Sequence, residues 1–283
     1  MHDLIRPLRH WADHSAGGGM LARRLQRFVR QVAYQRHRAG NMAMLHAGRC
    51  GSSVLADLLN QHPDVRWANE PFENMKPAYY RMSSAHRARQ VIADRMYRER
   101  SRYFGFDSKV LPEQHLAPAL ANKDPADYVA LLRELGFGHF ILLERRNYLR
   151  QAVSIAIGGV TGQWNTLGQP VPTPVVHLDP ARFVSYGREM PLLEFFASLD
   201  RRFAELRRLL QPRERLDLVY EDDIEADPRV GYAKVCGFLG IVEQPVSVRL
   251  KRLNPHPIRA MVANFDELRA TLQGTRYEWM LEA

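Results

Sequence analysis

A glycine-containing loop near residue 50 has the residue types that bind a phosphate group. It places an Arg-Cys pair between two glycines and ends in two serines, in the order Gly48, Arg49, Cys50, Gly51, Ser52 and Ser53. Glycines let backbone N–H groups close around an anion, and a helix that begins just after the loop directs its positive end to the same point. The serine hydroxyls add donors and the guanidinium adds a forked cation. We therefore predict that the residues from Arg49 to Ser53 contact a bound anion.

The loop lacks the features that nucleoside-triphosphate enzymes need. A Walker A loop has four residues between its glycines and ends in Gly-Lys-[Ser/Thr]. Here only two residues separate Gly48 from Gly51, and no lysine follows. A P-loop-type kinase therefore remains an alternative only, and we expect no metal ion. Because no His or Asp stands at a spacing that would activate Cys50, we expect no thiol chemistry either.

A second group of anion-binding candidates follows an apolar strand predicted at His139–Glu144. Arg146 lies at the C-terminal end of this strand, where doubly wound sheets bind their ligands. Ser154 comes eight residues later, about two turns into a helix predicted at Tyr148–Ile157. An arginine and a hydroxyl placed in this way can hold one phosphate group together. With the glycine loop they predict a ligand with two phosphate groups, such as a nucleotide phosphorylated at its 5′ and 3′ positions.

A parallel sheet is needed to bring these side chains to one edge. Short apolar runs alternate with helical stretches from Asn41 onward, which predicts a single α/β domain with a central parallel sheet flanked by helices. The predicted strands are Met42–His46, Val65–Ala68, Tyr103–Val110, His139–Glu144 and Leu216–Tyr220. The predicted helices are Ser52–Asn60, Ser83–Arg102, Asp127–Leu135, Tyr148–Ile157, Pro191–Leu210, Val230–Leu239 and the first half of Asn264–Leu281. Gly158–Pro180 shows little periodicity and is predicted as a long insertion loop.

The composition sets limits on the class of protein. The chain has 283 residues, of which 46% are apolar and 25% charged, which excludes collagen, wholesale disorder and a multi-span membrane protein. It contains no uninterrupted apolar run of about 18 residues and no secretory signal at its N-terminus. Two cysteines, Cys50 and Cys236, cannot form a disulfide scaffold or a zinc site by themselves. We therefore expect a cytoplasmic protein.

The positive charge is concentrated in the first part of the chain. The net charge is +9, and residues 1–40 contribute eight Arg against two Asp, or +6, which leaves +3 for the rest. Apolar residues at helical spacing from Leu21 to Val32 predict a basic amphipathic helix within residues 20–40. This helix either packs on the flank of the domain at residues 41–283 or docks on an anionic membrane surface, which makes a non-catalytic membrane-binding protein a further alternative. We expect no nucleic acid partner, and the oligomeric state, including a homo-oligomer, stays open.

Four blocks of the sequence, in this order along the chain, resemble the sulfotransferases that use 3′-phosphoadenosine 5′-phosphosulfate (PAPS). The glycine loop is similar to their 5′-phosphosulfate loop, and Arg146…Ser154 is similar to their 3′-phosphate motif. The stretch from Arg150 to Trp164 resembles the bacterial trehalose-sulfotransferase branch, and Tyr220-Glu221-Asp222 resembles a third block of the family. The resemblance implies a PAPS-dependent sulfotransferase with a P-loop-like loop that acts on a hydroxyl of a carbohydrate or glycolipid.

The resemblance also implies roles for single residues. Arg49 is expected to stabilise the leaving phosphate, and Tyr220 to contact the nucleotide with the loop and with Arg146 and Ser154. Glu70, in the context Asn69-Glu70-Pro71-Phe72, is expected to be the base, with Glu73 as the second choice. The expected contacts of the acceptor are Lys109, Trp164 and Asn165 within or beside the 158–180 loop. The Arg-Lys-Gly loop of the steroid and phenol enzymes is absent, so the C-terminal residue that contacts the nucleotide stays open.

Overall fold

The computed structural model describes residues 38–70, 85–96, 101–111, 124–165 and 172–282. Its strands, in chain order, are β1 Gly40–His46, β2 Val65–Trp67, β3 Tyr103–Lys109, β4 Phe137–Glu144, β5 Phe183–Ser185, β6 Arg188–Met190 and β7 Arg215–Val219. The helices are α1 Ser52–Gln61, α2 Ala85–Met96, α3 Pro125–Glu134, α4 Tyr148–Thr161, α5 Leu192–Leu209, α6 Tyr220–Asp223, α7 Pro228–Leu239, α8 Ile258–Met261 and α9 Phe265–Leu272. Short 3₁₀ turns cover Pro212–Glu214 and Glu278–Leu281.

Five strands form one parallel sheet in the order β2-β3-β1-β4-β7. The central strand β1 is apolar along its length because both faces of the sheet are covered. Ala43 and Leu45 pack into a core with α3, while Met42 and Met44 pack with α1 and α7 on the other face. All four side chains are fully buried. The predicted α/β architecture is therefore confirmed.

The sheet topology determines where a ligand can lie. From β1 the chain crosses to the edge strand β2, returns to β3 beside β1, and then continues to β4 and β7 on the other side, so the direction of the connections reverses next to β1. Ligands of such sheets bind at the carboxyl ends of the strands beside this reversal. His46 and Glu144 end the two strands that meet there, and the glycine loop and α4 follow them directly.

Three parts of the fold differ from the sequence-based prediction. The helix that was expected to end at Ile157 continues through Gly158 and Gly159 to Thr161 and ends at Gly162, which adopts the left-handed conformation with a φ of 67°. The antiparallel hairpin β5–β6 was not predicted, since each of its strands has only three residues. Residues 172–180, expected to lie in a cleft-lining loop, belong partly to the core: Val176 and Leu178 are buried there.

The part of the basic leader before residue 38, and with it most of the predicted amphipathic helix, lies outside the described residues. Within the described ranges, no helix is both long and apolar enough to cross a membrane.

Candidate active site

The glycine loop between β1 and α1 has an unusual backbone. Gly48 and Gly51 have φ angles of 84° and 82°, and Arg49 between them is also left-handed, at 55°. Gly51 precedes the first turn of α1, which receives no hydrogen bond from a capping side chain. The N–H groups of this turn are therefore available to an anion, as the sequence predicted for a phosphate-binding loop.

Gly51 is required for two reasons. A Cβ atom at this position would lie 2.5 Å from Cγ2 of Ile224 and 3.1 Å from Cδ2 of Tyr220, and the left-handed φ would strain any L side chain. We expect Gly51→Ala to lower the free energy of unfolding by roughly 2–5 kcal/mol, the sum of conformational strain and overpacking. Gly240→Ala is the matched control, because Gly240 is left-handed (φ 64°) but its Cβ would meet nothing within 4 Å. Equal losses in the two variants, measured by urea unfolding, would contradict the close approach at Gly51.

A buried hydrogen-bond chain holds the start of the loop. Nδ1 of His46 accepts the N–H of Gly48 at 3.0 Å, and Nε2 contacts Oδ2 of Asp107 at 3.3 Å. The other oxygen of Asp107 accepts the indole N–H of Trp67 at 2.9 Å. Because Nδ1 accepts a hydrogen bond, the imidazole proton is on Nε2, which donates a hydrogen bond to Asp107. From the far side, the side-chain amide of Gln151 donates to the carbonyl of Gly48 at 2.6 Å.

A cavity of about 320 Å³ opens beside the loop and is lined by an excess of positive charge. Its cationic lining residues are Arg49, Arg145, Arg150, Lys251 and Arg252. Among the described residues that line it, Glu225 is the one acid, and it already pairs with Arg252 at 2.6 Å. Burial lowers the pKa of Arg49, Arg145 and Arg150, because it penalises their charged form. An anion in this cavity would therefore be strongly favoured.

Arg145 is the most deeply buried of these cations. Its Nη1 donates to the carbonyl of Arg49 at 3.1 Å, and its guanidinium lies 4.4 Å from the ring centre of Tyr220. Its Nε is buried and has no hydrogen-bond partner within the described ranges. A buried donor without a partner destabilises the folded protein, and this N–H can donate a hydrogen bond to a bound anion.

Arg49 and Ser154 meet directly, which joins the two predicted anion-binding elements. Nε of Arg49 donates to Oγ of Ser154 at 2.9 Å, and the side-chain amide of Asn254 donates to the same oxygen at 3.2 Å. Because Oγ accepts both bonds, the hydroxyl proton of Ser154 remains available for another acceptor. Arg49 also donates to the carbonyl of Trp164 and lies 5.6 Å from the centre of its ring.

The predicted site residues separate into two groups around the loop. Those that line the cavity are Arg49, Gly51, Ser52, Ser53, Ser154, Trp164, Asn165 and Tyr220. The side chain of Cys50 is buried in the core beneath the sheet. Glu70 and Lys109 do not line the cavity and lie on the other side of Gly48.

Arg146 is placed differently from the sequence-based expectation. Its side chain is 52% exposed, pairs with Asp222, and does not line the cavity. The reason is geometric, since successive side chains at the end of β4 point in opposite directions and Arg145 takes the inward position. Arg145, and not Arg146, is therefore in position to contact a phosphate group in the cavity.

Glu70 and Lys109 form an ion pair next to the loop. Nζ of Lys109 donates to Oε2 of Glu70 at 2.9 Å, and their side chains are 17% and 14% exposed. Asn69 turns the chain in front of Glu70 with a φ of 51°, a conformation that asparagine tolerates better than most residues. The stem of Lys109 lies against Gly48, where a Cβ would be 3.5 Å from Cε. Glu73, the second candidate for the base, lies outside the described residues.

His46, Glu70 and Asp107 each place one possible metal-ligand atom within 4.8 Å of the others. The donor set is a poor fit for a cation, because Lys109 already neutralises Glu70 and the His46 proton faces Asp107. We therefore propose no metal site at these three residues.

Besides Arg145, Arg150 and Arg252, the sequence analysis missed site residues that lie far along the chain from the glycine loop. Lys251 and Asn254 stand in the stretch between α7 and α8, which has no regular structure and hence no periodicity to read. Tyr186, at the tip of the β5–β6 hairpin, reaches the loop from a distant part of the chain: a Cβ on Gly48 would lie 2.5 Å from its hydroxyl. The glycine at position 187 indicates a turn, but nothing in the local sequence indicates that the side chain of Tyr186 reaches the loop.

No family model and no curated protein matches the sequence. Among solved structures, the chain is similar to a sulfotransferase from Alicyclobacillus acidocaldarius, with 16% identity over 86% of this chain and 96% of that chain and a TM-score of 0.47. It is also similar to sulfotransferase domains from the curacin biosynthetic pathway (13% identity, 74% and 76% covered, TM-score 0.42) and from the Synechococcus PCC 7002 olefin synthase (15%, 73% and 75%, TM-score 0.36). At these values the likeness carries no weight for function, which we infer from the residues of the site.

Proposed function

We propose that this protein is a sulfotransferase that moves the sulfuryl group of PAPS to a hydroxyl of a carbohydrate or glycolipid. The observation that carries the proposal is the surplus of cations around the cavity beside the glycine loop. Five cationic side chains face one acid there, and the buried Arg145 has a guanidinium N–H left over. A nucleotide with phosphates at both its 5′ and 3′ positions supplies the matching negative charge. The four sequence blocks that resemble PAPS sulfotransferases support the same ligand.

The loop suits the phosphosulfate end of this donor. Arg49, Ser52, Ser53 and the free N–H groups of the first turn of α1 offer donors in one small region. Arg145, Ser154 and Lys251 line the same cavity and would hold the second phosphate. Tyr220, Ile224 and Ala226 line the cavity and offer an apolar surface for the adenine ring.

The proposed chemistry is an in-line displacement at sulfur. The acceptor hydroxyl oxygen forms a bond to sulfur while the bond from sulfur to the oxygen of the 5′-phosphate breaks. The departing phosphate takes the electron pair, and Arg49 with the loop N–H groups stabilises its growing charge. Glu70 accepts the proton of the acceptor hydroxyl. The ion pair with Lys109 holds this carboxylate in position.

The acceptor class follows from two residues that line the cavity near Arg49. Trp164 is 43% exposed and stands beside Asn165, so that an aromatic face and an amide are offered together. Such a pair suits a saccharide, which combines an apolar ring face with hydroxyl groups. The +6 charge of residues 1–40 favours an acceptor at an anionic membrane surface, hence a glycolipid as the second form, with peripheral contact through residues 20–40.

A transfer assay with radiolabelled PAPS tests the proposal. The acceptor panel contains glucose, N-acetylglucosamine, trehalose, lactose and a glucosyl lipid in anionic vesicles, with 2-naphthol as the phenolic control. We expect label to pass to at least one sugar-containing acceptor and not to 2-naphthol. Transfer to 2-naphthol alone would overturn the acceptor class. Transfer of phosphate from ATP with Mg²⁺ to the same panel, with no use of PAPS, would show a kinase instead.

A further inference from the structure

Tyr186 occupies a position that a tyrosine rarely takes. It is the first of the two residues that connect β5 and β6, where Ser185 pairs with Arg188. Tyr186 has a φ of 49° and Gly187 a φ of 83°, so both central residues of the turn are left-handed. Turns of this kind favour Asn, Asp or Gly at the first position, and an aromatic residue there carries a conformational cost. This local cost indicates that the side chain has a purpose elsewhere.

The side chain of Tyr186 fills the space between the cavity and the Glu70–Lys109 pair. One face of its ring stacks on Trp164 with a centroid distance of 6.3 Å and an angle of 20° between the planes. Nζ of Lys109 lies 5.2 Å from the ring centre. The hydroxyl comes so close to Gly48 that a Cβ there would be 2.5 Å away. Tyr186 therefore contacts the glycine loop, the Lys109 side chain that pairs with the proposed general base Glu70, and the proposed acceptor contact Trp164.

The hydroxyl is suited to donate a hydrogen bond. Burial raises the pKa of Tyr186, against the opposing effects of Lys109 and Arg49, so the group stays protonated at neutral pH. No hydrogen bond to this hydroxyl occurs among the described residues, and the neighbouring Lys109 can donate a hydrogen bond but not accept one. A ligand oxygen can therefore serve as the hydrogen-bond acceptor for the hydroxyl of Tyr186.

We infer that Tyr186 is a positioning residue for the acceptor, which donates its hydroxyl proton to an acceptor oxygen and turns the attacking hydroxyl toward Glu70. The inference rests on the proposed function. It places Tyr186 on the acceptor side because its ring contacts Lys109, the partner of Glu70, and because Tyr186 does not line the cationic cavity proposed for the nucleotide. Its stacking partner Trp164, which does line that cavity, is the proposed contact of the acceptor. The hairpin β5–β6 then serves to carry this one side chain to the loop.

Two variants separate this role from a structural one. Tyr186→Phe keeps the ring and its stacking and removes only the donor. We expect kcat/KM for the best saccharide of the panel to fall by roughly 10-fold, mainly through KM, the effect of one lost hydrogen bond. Tyr186→Asn removes the ring but suits the left-handed turn, so we expect roughly 100-fold lower kcat/KM with an unchanged or higher melting temperature. In both variants the Kd for adenosine 3′,5′-bisphosphate should match that of the wild type.

Val184→Ala is the matched control, since Val184 stands in the same hairpin and is exposed. It should change none of the measured quantities. The inference is overturned if both Tyr186 variants transfer at the wild-type rate, if the bisphosphate affinity falls together with kcat/KM, or if activity falls only as far as the melting temperature does. Failure of the proposed function has a different signature, because the wild-type protein itself would then bind no bisphosphate and sulfate no sugar, and the inference would fall with it.

Discussion

Replacing Glu70 by Gln should lower the turnover number for sulfuryl transfer by roughly 10²–10⁴-fold, the usual contribution of a general base. Gln cannot accept the proton of the acceptor hydroxyl but keeps the shape of the side chain. Because Glu70 lies with Lys109 outside the cationic cavity, the Kd for adenosine 3′,5′-bisphosphate should change by less than about 2-fold. Single-turnover assays with saturating PAPS and a panel saccharide measure the chemical step directly.

Two further variants make the Glu70 experiment decisive. Glu189→Gln is the matched control, because Glu189 is an exposed carboxylate that pairs with Arg182 on the β5–β6 hairpin. It should leave turnover unchanged. Normal turnover in Glu70→Gln combined with a large loss in Glu73→Gln would transfer the role of the base to Glu73. Normal turnover in both would remove carboxylate base catalysis from the mechanism.

Replacing Arg145 by Met should weaken the binding of adenosine 3′,5′-bisphosphate by roughly 10²–10⁴-fold, the loss of two charge-assisted hydrogen bonds to a phosphate. The same change should leave the free energy of unfolding equal or higher. Arg145 is a buried cation without an ion pair among the described residues, and an apolar side chain of similar length avoids its desolvation cost. The loss of the hydrogen bond from Arg145 to the carbonyl of Arg49 lowers the free energy of unfolding by only about 1 kcal/mol, which is less than the desolvation cost that is removed.

Arg146→Met is the matched control for Arg145→Met. Arg146 is the next residue along the chain, carries the same charge and pairs with Asp222 outside the cavity. Its replacement should change the bisphosphate affinity by less than about 3-fold, the effect of one exposed charge. A large loss in Arg146→Met with none in Arg145→Met would restore the phosphate contact that the sequence motif suggested and would contradict the inward position of Arg145.

Much of the fold could be predicted from local sequence patterns. The apolar run before Gly48, the glycine spacing and the serines that follow define a strand, a tight turn and a helix without reference to distant residues. The same holds for β4 and α4, and the two elements predicted to bind anions do follow neighbouring parallel strands at one edge of the sheet. The alternation of strands and helices was sufficient to predict a parallel sheet.

The rest of the site depends on features that local patterns do not contain. The choice between Arg145 and Arg146 depends on which side chain turns inward just after Glu144, where β4 ends, and two adjacent arginines in the sequence do not distinguish the two outcomes. Tyr186 and Asn254 reach the site through a short hairpin and an irregular stretch, which carry no periodic signal. The 172–180 stretch was taken for a surface loop because its two buried residues, Val176 and Leu178, are separated by a polar His177 and surrounded by prolines.

The central claim is that the cavity beside the glycine loop binds a nucleotide with both a 5′ and a 3′ phosphate. Calorimetric titration of the wild-type protein with adenosine 3′,5′-bisphosphate and, separately, with AMP tests it most directly. If Arg145, Ser154 and Lys251 hold the second phosphate, the bisphosphate should bind at least about 10-fold more tightly than AMP, and higher salt should weaken its binding more steeply. Equal affinity for the two ligands, or tighter binding of ATP with Mg²⁺ than of the bisphosphate, would contradict the proposed site.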